Sequence, residues 1–205
     1  MTRRFTTGME SLDRLHEGGI PAGSLLVLLA PAESQAELLV QQLIERHQTL
    51  YLSTTRSKEA VQRTLGDAAG NTQVVFLGPN PTPEDLTNAL PHVPENAVVV
   101  VDQPDPLEFA GRREYVSMLN ALSRRLVDAN SIGVFNCTGS NDATPQRATT
   151  LAFADLVWNL DLRVTTYAIE NRLAVTKFRG GRAFREPVKL QLTDEVRVDT
   201  SRDIA

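Results

Sequence analysis

The chain has 205 residues, of which 41% are hydrophobic and 22% charged, a composition typical of one folded domain and not of a disordered or fibrous chain. Its formal net charge of −4 argues against a surface that attracts nucleic acid overall, and no apolar run approaches the roughly 20 residues that cross a bilayer, so we expect no membrane insertion. A single cysteine, Cys137, and three histidines exclude a disulfide framework and a structural zinc site, and they fit a cytoplasmic protein without a bound metal.

Short apolar runs alternate with amphipathic stretches between residues 23 and 138. The run "GSLLVLLA" (23–30) is too short for a helix and predicts a buried strand, whereas "AELLVQQLIERH" (36–47) has apolar residues at helical spacing. Strands apolar on both faces that alternate with helices indicate a parallel sheet covered on both sides. Further strands are predicted at 49–54, 72–78, 96–102 and 131–138, and further helices at 57–69, 82–90 and 111–130.

After residue 150 the pattern changes. The segments "ADLVWNLDLRVTTYAIENRLAVTKFRG" and "PVKLQLTDEVRVD" predict strands joined by short turns. The fold class is therefore α/β, with a mostly parallel sheet between helices followed by a C-terminal antiparallel β extension. We expect one domain over residues 1–205, with a lead-in at 1–22, an α/β core at 23–160 and a β-hairpin extension at 161–200.

Several segments resemble one known family. The opening "TTGMESLDRLHEGGIPAGSLLVLLAP" and the pair "FADLVWNLDLRV" and "ENRLAVTKFRGGR" are similar to segments of RecA-fold ATPases of the KaiC/RadA-like group. The end, "LTDEVRVDTSRDIA", resembles the C-terminal strand of that group, particularly in archaeal members. The resemblance implies a RecA-like core, and it implies that the loop after the first core strand is where relatives bind the phosphates of ATP.

That phosphate loop, the Walker A motif G-x-x-x-x-G-K-[ST], corresponds here to "APAESQAE". In the motif the glycines fold the backbone around the phosphates, the lysine neutralises them, and the hydroxyl helps to hold Mg²⁺. All of these positions are changed, and two carboxylates add about two negative charges where a polyphosphate would lie. The changed positions are Ala30 and Gln35 for the glycines, Ala36 for the lysine and Glu37 for the hydroxyl, with Glu33 as the other acid.

The other catalytic positions of the family are only partly kept. In KaiC-like members a pair of acids follows the second strand and one is the general base, but here Thr55 and Arg56 stand there, and neither is a base at neutral pH. Asp102 ends the run "AVVVVD" at the Walker B position, which supports Mg²⁺ in the family. An aspartate at a strand end is also a common turn cap, so we interpret Asp102 as a remnant of the metal site.

A basic segment lies late in the chain. "KFRG" resembles the K-x-R element that in the family reaches the γ-phosphate of a neighbouring subunit, and Lys177 and Arg179 are spaced to lie on one face of a strand. Together with Arg172, Arg182 and Arg185 they form a basic patch. Three roles stay open: a solvated edge that blunts a strand, a finger that acts in trans on a partner, or a nucleic-acid surface.

The remaining candidate residues are predicted to be structural. Cys137 has no adjacent histidine and is expected to be a buried small residue, and Trp158 is expected in the core or in an interface. His16, His47 and His92 are isolated and are predicted to be surface or loop residues.

These observations favour a non-catalytic RecA/KaiC-like protein, a pseudo-ATPase without a cofactor or catalytic residues. It would act as a regulatory or assembly partner through protein–protein interaction, by self-association or with an active RecA-fold paralogue. The alternative is a divergent ATP-binding protein, with ATP and Mg²⁺ as ligands, or a DNA-associated recombination accessory. Nucleic acid stays open as a partner but is less favoured.

Overall fold

A nine-stranded sheet forms the centre of the structure, a computed structural model that describes residues 3–139, 144–183, 186–193 and 196–199. In a separate two-stranded ribbon near the N-terminus, Arg4–Phe5 pair with Ile20–Pro21 in antiparallel fashion. The strands are β1 (Arg4–Phe5), β2 (Ile20–Pro21), β3 (Leu25–Ala30), β4 (Thr49–Ser53), β5 (Thr72–Phe76), β6 (Val98–Asp102), β7 (Ile132–Thr138), β8 (Leu156–Val164), β9 (Ile169–Phe178), β10 (Val188–Leu192) and β11 (Val196–Val198).

Helices connect most of the strands. The helices are α1 (Glu10–Leu15), α2 (Ala36–Ile44), α3 (Lys58–Leu65), α4 (Pro83–Ala89), α5 (Arg112–Asp128) and α6 (Arg147–Phe153), with 3₁₀ turns at Gly66–Asn71, Leu90–His92 and Asp105–Phe109. The start of α4 follows the predicted chemistry, because Thr82 caps the helix in a reciprocal capping box with Asp85. The short helices α1 and α6 were not predicted. Among the described residues no helix is long and apolar enough to cross a membrane.

The strand order is β11-β10-β9-β8-β3-β7-β6-β4-β5. The six strands from β3 to β8 run parallel to one another, and β9, β10 and β11 continue the sheet in antiparallel fashion. The predicted fold class, a mostly parallel α/β sheet with an antiparallel C-terminal part, is therefore confirmed. The predicted boundary between residues 160 and 161 falls inside β8, which pairs in parallel with β3 and antiparallel with β9.

Two hydrophobic clusters cover the two faces of the sheet. Leu26 and Leu28 of β3 point into the first cluster together with α1, α2 and α3, while Leu25 and Val27 point into the second with α4 and α5. Successive strand residues face opposite sides of a sheet, so the unbroken apolar run of β3 supplies both clusters. Because the strands from β3 to β8 are parallel, their carboxyl ends lie at one common edge of the sheet.

His16 lies in the turn that follows α1, as the loop prediction has it, but it is buried and is not a surface residue. Its side chain is fully buried, and the indole Nε1–H of Trp158 donates to its Nε2 at 3.1 Å. The Phe178 ring meets the imidazole edge-on at 5.2 Å between centroids. Because Nε2 accepts a hydrogen bond, the ring is neutral, and burial, reinforced by the charge of Arg4 and opposed by that of Asp13, lowers its pKa to about 4.

This histidine predicts an acid-sensitive fold. In the unfolded chain the pKa of His16 returns to about 6.5, so between pH 6.5 and pH 4 the unfolded state binds more protons than the folded state. The free energy of unfolding should therefore fall by about 3 kcal/mol as the pH drops through that window, and be fully present above it. Urea unfolding at a series of pH values measures it. A His16→Gln variant, which keeps an acceptor for Trp158, should show a shallower pH dependence; equal slopes would contradict the assignment.

Candidate functional site

The strand register places the polar strand ends next to one another. Ser53, Asp102 and Asn136 are directly aligned across β4, β6 and β7, and Ala30 at the end of β3 is aligned with Thr138. These residues mark the carboxyl edge of the parallel sheet. In open α/β sheets this edge is where ligands bind, so we take it as the candidate site.

The loop between β3 and α2, residues 31–35, is a closed turn. The Pro31 carbonyl oxygen accepts from the backbone N–H of Ser34 at 3.0 Å and from its hydroxyl at 2.6 Å. None of residues 30 to 37, all of which are described, has a positive φ, and Gln35 has φ of −93°. The backbone therefore follows a path open to any residue, without the left-handed conformations for which a phosphate cradle uses glycine.

The side chains around this loop point in different directions. Ala36, which the sequence predicts to stand at the Walker A lysine position, is 5% exposed and packs into the first hydrophobic cluster. Glu33 is exposed and Glu37 is half-buried at the first turn of α2. Negative charge is favourable at a helix N-terminus, so Glu37 complements α2 by itself. Gln35 lines a shallow cavity with residues of β9 and β10.

Asp102 is the best-connected residue of the edge. Its side chain is 5% exposed, and its Oδ2 accepts from the Tyr51 hydroxyl at 2.6 Å and from Nη2 of Arg56 at 3.0 Å. Its Oδ1 accepts from Nδ2 of Asn136 at 2.9 Å. Ser53 helps to place Arg56, because its hydroxyl donates to the Arg56 carbonyl oxygen at 2.8 Å and accepts the Arg56 backbone N–H at 3.1 Å.

The protonation states in this cluster are fixed by burial and charge. Burial, together with the neighbouring carboxylate of Asp102, raises the pKa of Tyr51 far above its usual range, so Tyr51 stays a hydrogen-bond donor. Burial works to lower the pKa of Arg56, but its hydrogen bond and charge interaction with Asp102 outweigh burial and raise that pKa. The cluster thus brings a guanidinium and two neutral donors to the side chain of Asp102, and both of its oxygens accept hydrogen bonds.

A second buried network lies beside the first and was not foreseen from the sequence. Nε of Arg147, at the start of α6, donates to both oxygens of the fully buried Glu108, at 3.1 and 2.9 Å. Its Nη2 donates to Asp105 at 2.8 Å and its Nη1 to the Thr138 carbonyl oxygen at 2.7 Å. Thr150 also bonds to Glu108. The network ties α6 to the turn after β6 and to the end of β7.

Only weak sequence signals marked these residues. Asn136 is the one amide side chain within the apolar run "SIGVFNCT", and Tyr51 is the one hydroxyl-bearing ring in "TLYLST". Arg147 and Glu108 are 39 positions apart, and no local pattern links them. Cys137 is buried as predicted, and burial raises the pKa of its thiol well above the usual range, so it stays a protonated core residue.

The basic segment is partly engaged within the chain. Nζ of Lys177 donates to the carbonyl oxygens of Leu151 and Ala152, at 2.8 and 3.2 Å, and Arg179 donates to Ala152 at 3.2 Å. Both side chains therefore cap the C-terminus of α6, where cations are favourable. Lys177 lies in β9, whereas Arg179 follows the end of that strand at Phe178. Of the other arginines in the patch, Arg172 pairs with Glu170, Arg182 is exposed, and Arg185 lies outside the described residues.

Comparison with known proteins assigns the family. The model of the family of unknown function DUF7125 matches residues 4–205. The chain belongs to this family. No curated protein of similar sequence was found.

Solved structures show the fold of this DUF7125 protein. It is similar to the KaiC-like protein PH0186 from the hyperthermophilic archaea Pyrococcus horikoshii OT3, with a TM-score of 0.72 over 97% of this chain and 100% of that chain. The two sequences are 15% identical, so the similarity establishes a KaiC-like RecA fold and nothing about activity.

The Asp102 cluster predicts a measurable coupling. Arg56→Met should lower the free energy of unfolding by about 2 kcal/mol, because it leaves a buried carboxylate without its cation; the figure is moderate because Arg56 is 35% exposed. Adding Asp102→Asn to this variant should recover part of that loss. Urea unfolding of the wild type, Arg56→Met, Asp102→Asn and the double variant measures the coupling between the two side chains. Arg14→Met is the matched control, since its pair with Glu10 is exposed and should cost less than about 0.5 kcal/mol. Equal losses of stability in Arg56→Met and Arg14→Met would contradict this assignment.

The Arg147 network should matter more for stability. Arg147→Met leaves Glu108 buried without a cation, and we expect a loss of about 3–5 kcal/mol in the free energy of unfolding. Arg147→Lys keeps the charge but not the planar set of donors, and it should fall between the wild type and Arg147→Met. Thermal and urea unfolding test the order, and a wild-type stability for Arg147→Met would rule out a structural role for the network.

Proposed function

We propose that this chain is a KaiC-like RecA-fold protein without ATPase activity, which acts as a regulatory or assembly partner through protein–protein interaction. The observation that carries the proposal is the engagement of Asp102. A Walker B carboxylate needs a free oxygen facing the metal and its water, whereas both oxygens of Asp102 accept hydrogen bonds from Arg56, Tyr51 and Asn136. Arg56 supplies the positive charge beside Asp102 from within the chain.

The loop supports the same reading, in which residues 30–37 are a degenerate Walker A motif. Its single hydroxyl, that of Ser34, donates to the loop's own backbone, and Ala36 packs into the core where the family has its lysine. Glu33 and Glu37 would oppose a polyphosphate at the point where α2 begins. The residues present therefore do not fit a magnesium nucleotide, and we derive no catalytic step.

The residue at the position of the general base supports the proposal independently. Arg56 follows the second core strand, β4, where KaiC-like ATPases have acids, and a guanidinium cannot take a proton from water at neutral pH. Loss of the Walker A residues alone, or of the general base alone, would abolish hydrolysis. Both are absent at their matched positions, which favours a chain whose remaining role is binding.

We propose that residues 1–205 act as one RecA-like unit of the archaeal KaiC/RadA-like type, a view supported by the archaeal origin of PH0186. We place the protein in the cytoplasm, consistent with its one buried thiol. Its partner would be a second copy or an active RecA-fold paralogue.

Titration with MgATP tests the proposal. A ligand at a hundred times its Kd would add about 2.7 kcal/mol of stability and raise the Tm by roughly 5–10 °C in a chain of this size. We expect a change below about 1 °C at roughly millimolar MgATP, and no heat of binding by calorimetry. A Glu33→Gln/Glu37→Gln variant, which removes the opposing charges only, should behave like the wild type because the lysine and glycines are still missing.

Binding of MgATP by the wild type at micromolar affinity would contradict the proposal and favour the divergent nucleotide-binding alternative.

The DNA-associated alternative makes a different prediction. It predicts binding that weakens steeply with salt and that is lost in Lys177→Ala or Arg179→Ala. Both side chains already bond to the C-terminus of α6, so we expect no such binding.

A further inference from the structure

The strand β5 ends the sheet and is paired on one side only, by β4, within the described part of the chain. The backbone N–H of Leu77 donates to the Ser53 carbonyl oxygen at 2.8 Å, so Leu77 and, by alternation, Val75 direct their backbone groups toward β4. The N–H and C=O groups of Val74 and Phe76 therefore point away from the sheet. No hydrogen bond among the described residues uses them, so they form an open edge to which another strand can bind.

This open edge lacks the features by which proteins prevent strand pairing. Residues 71–78, "NTQVVFLG", contain no charged residue and no proline. Phe76 is 42% exposed, and Val75 and Leu77 are half-buried. At the other end of the sheet, β11 has only three residues and carries the exposed Arg197 at its centre. The two edges therefore differ, because β5 favours pairing and β11 opposes it.

The hydrogen-bonding groups of β5 are complementary to those of a second copy of β5 in the antiparallel direction. When Val74 lies opposite the Val74 of the second copy, the two residues exchange a pair of hydrogen bonds. Each Phe76 then lies opposite Thr72. The N–H of Thr72 already donates to Ala69, but its carbonyl oxygen points outward and accepts from Phe76. The alignment yields about four hydrogen bonds between the copies and opposes no two donors.

The helix beside β5 fits the same symmetry. Val61 in the middle of α3 and Val74 in the middle of β5 belong to the first hydrophobic cluster, and α3 contacts β5. Adjacent strands are about 4.8 Å apart, so a two-fold axis beside β5 brings the two α3 helices to roughly 10 Å from each other, a distance at which helices pack. The two helices then run antiparallel and cross the axis near Val61.

The charges of α3 match a second copy in this arrangement. Lys58 and Glu59 stand at the start of α3, Arg63 stands near its end and Asp67 follows it, and all four are exposed. Antiparallel helices place the start of one beside the end of the other. Glu59 of each copy then approaches Arg63 of the other copy, and Lys58 approaches Asp67. Opposite charges therefore meet on both sides of the axis, which an unrelated strand would not provide.

We propose that β5 of one copy of this chain pairs in antiparallel fashion with β5 of a second copy, so that two nine-stranded sheets form one continuous sheet in a dimer. The contact uses the same surface on both copies and stops at two. One strand and one helix from each copy give an interface at the small end of the usual range, so we expect a Kd on the order of 10 µM. The inference rests on the proposed function, since it names the partner of a chain that acts by binding.

Amide hydrogen exchange of the full chain tests the strand pairing. The Val74 and Phe76 amides should exchange about tenfold more slowly at about 200 µM chain than at about 2 µM, because only the dimer bonds them. The Leu77 amide is the internal control, since it bonds to Ser53 at both concentrations. Mass spectrometry with fragmentation resolves these residues, and sedimentation should show a dimer and nothing larger. A monomeric chain, or a dimer without this protection, overturns the proposal.

Charge exchange on α3 tests the two-fold symmetry. Glu59→Arg and Arg63→Glu, both at exposed positions, should each weaken dimerisation by about three- to tenfold, because each creates two like-charge contacts across the axis. An equimolar mixture of the two variants restores both opposite-charge contacts, so it should form a heterodimer of about wild-type affinity. A mixture that associates no better than its components overturns the proposal.

A charge on the edge strand itself should act more strongly. Phe76→Lys should weaken dimerisation by about tenfold or more, because lysine blocks edge pairing. Phe109→Lys is the matched control, since Phe109 is 70% exposed in the turn after β6 and should leave association unchanged. Circular dichroism confirms that both variants fold, and equal effects of the two overturn the proposal. A monomer that does not bind MgATP overturns only this contact, whereas a dimer that binds MgATP overturns only the proposed function.

Discussion

A carboxylate buried in the middle of a parallel sheet has to be neutralised by its neighbours, and at Asp102 the positive charge comes from Arg56. The parallel register brings Tyr51 and Asn136 to the same carboxylate from two adjacent strands. Desolvation makes an unpaired charge at such a place costly, so this pairing fixes the conformation of the chain after β4.

The neighbouring network has a similar effect on the other side of β6. Arg147 holds Glu108, Asp105 and the end of β7 together, so that the polar groups of two strand ends are satisfied within the chain. Apolar side chains still face solvent near these networks, at Phe109 in the turn after β6 and at Tyr167 in the turn after β8.

The sequence was informative wherever a structural property is local. The unbroken apolar run of β3 predicted a strand buried on both faces, and Thr82 with Pro83 predicted the start of α4. The differences between residues 30–37 and the Walker A motif could be compared one position at a time. The pairing of Arg56 with Asp102 could not, because it depends on strand register between residues 46 positions apart. The burial of His16 could not be predicted either, because its partner, Trp158, is 142 positions away in the chain.

The hydrogen bonds by which the basic segment caps α6 affect the affinity of any other molecule that binds the same side chains. Lys177 and Arg179 satisfy carbonyl oxygens at the last turn of that helix, so a phosphate or an acidic partner has to compete with acceptors already in place. Withdrawing the two side chains would leave the last turn uncapped in the same helix whose first residue, Arg147, anchors Glu108. Binding at one end of α6 would thus be linked to order at the other, and its affinity would be reduced by the free energy of releasing the helix end.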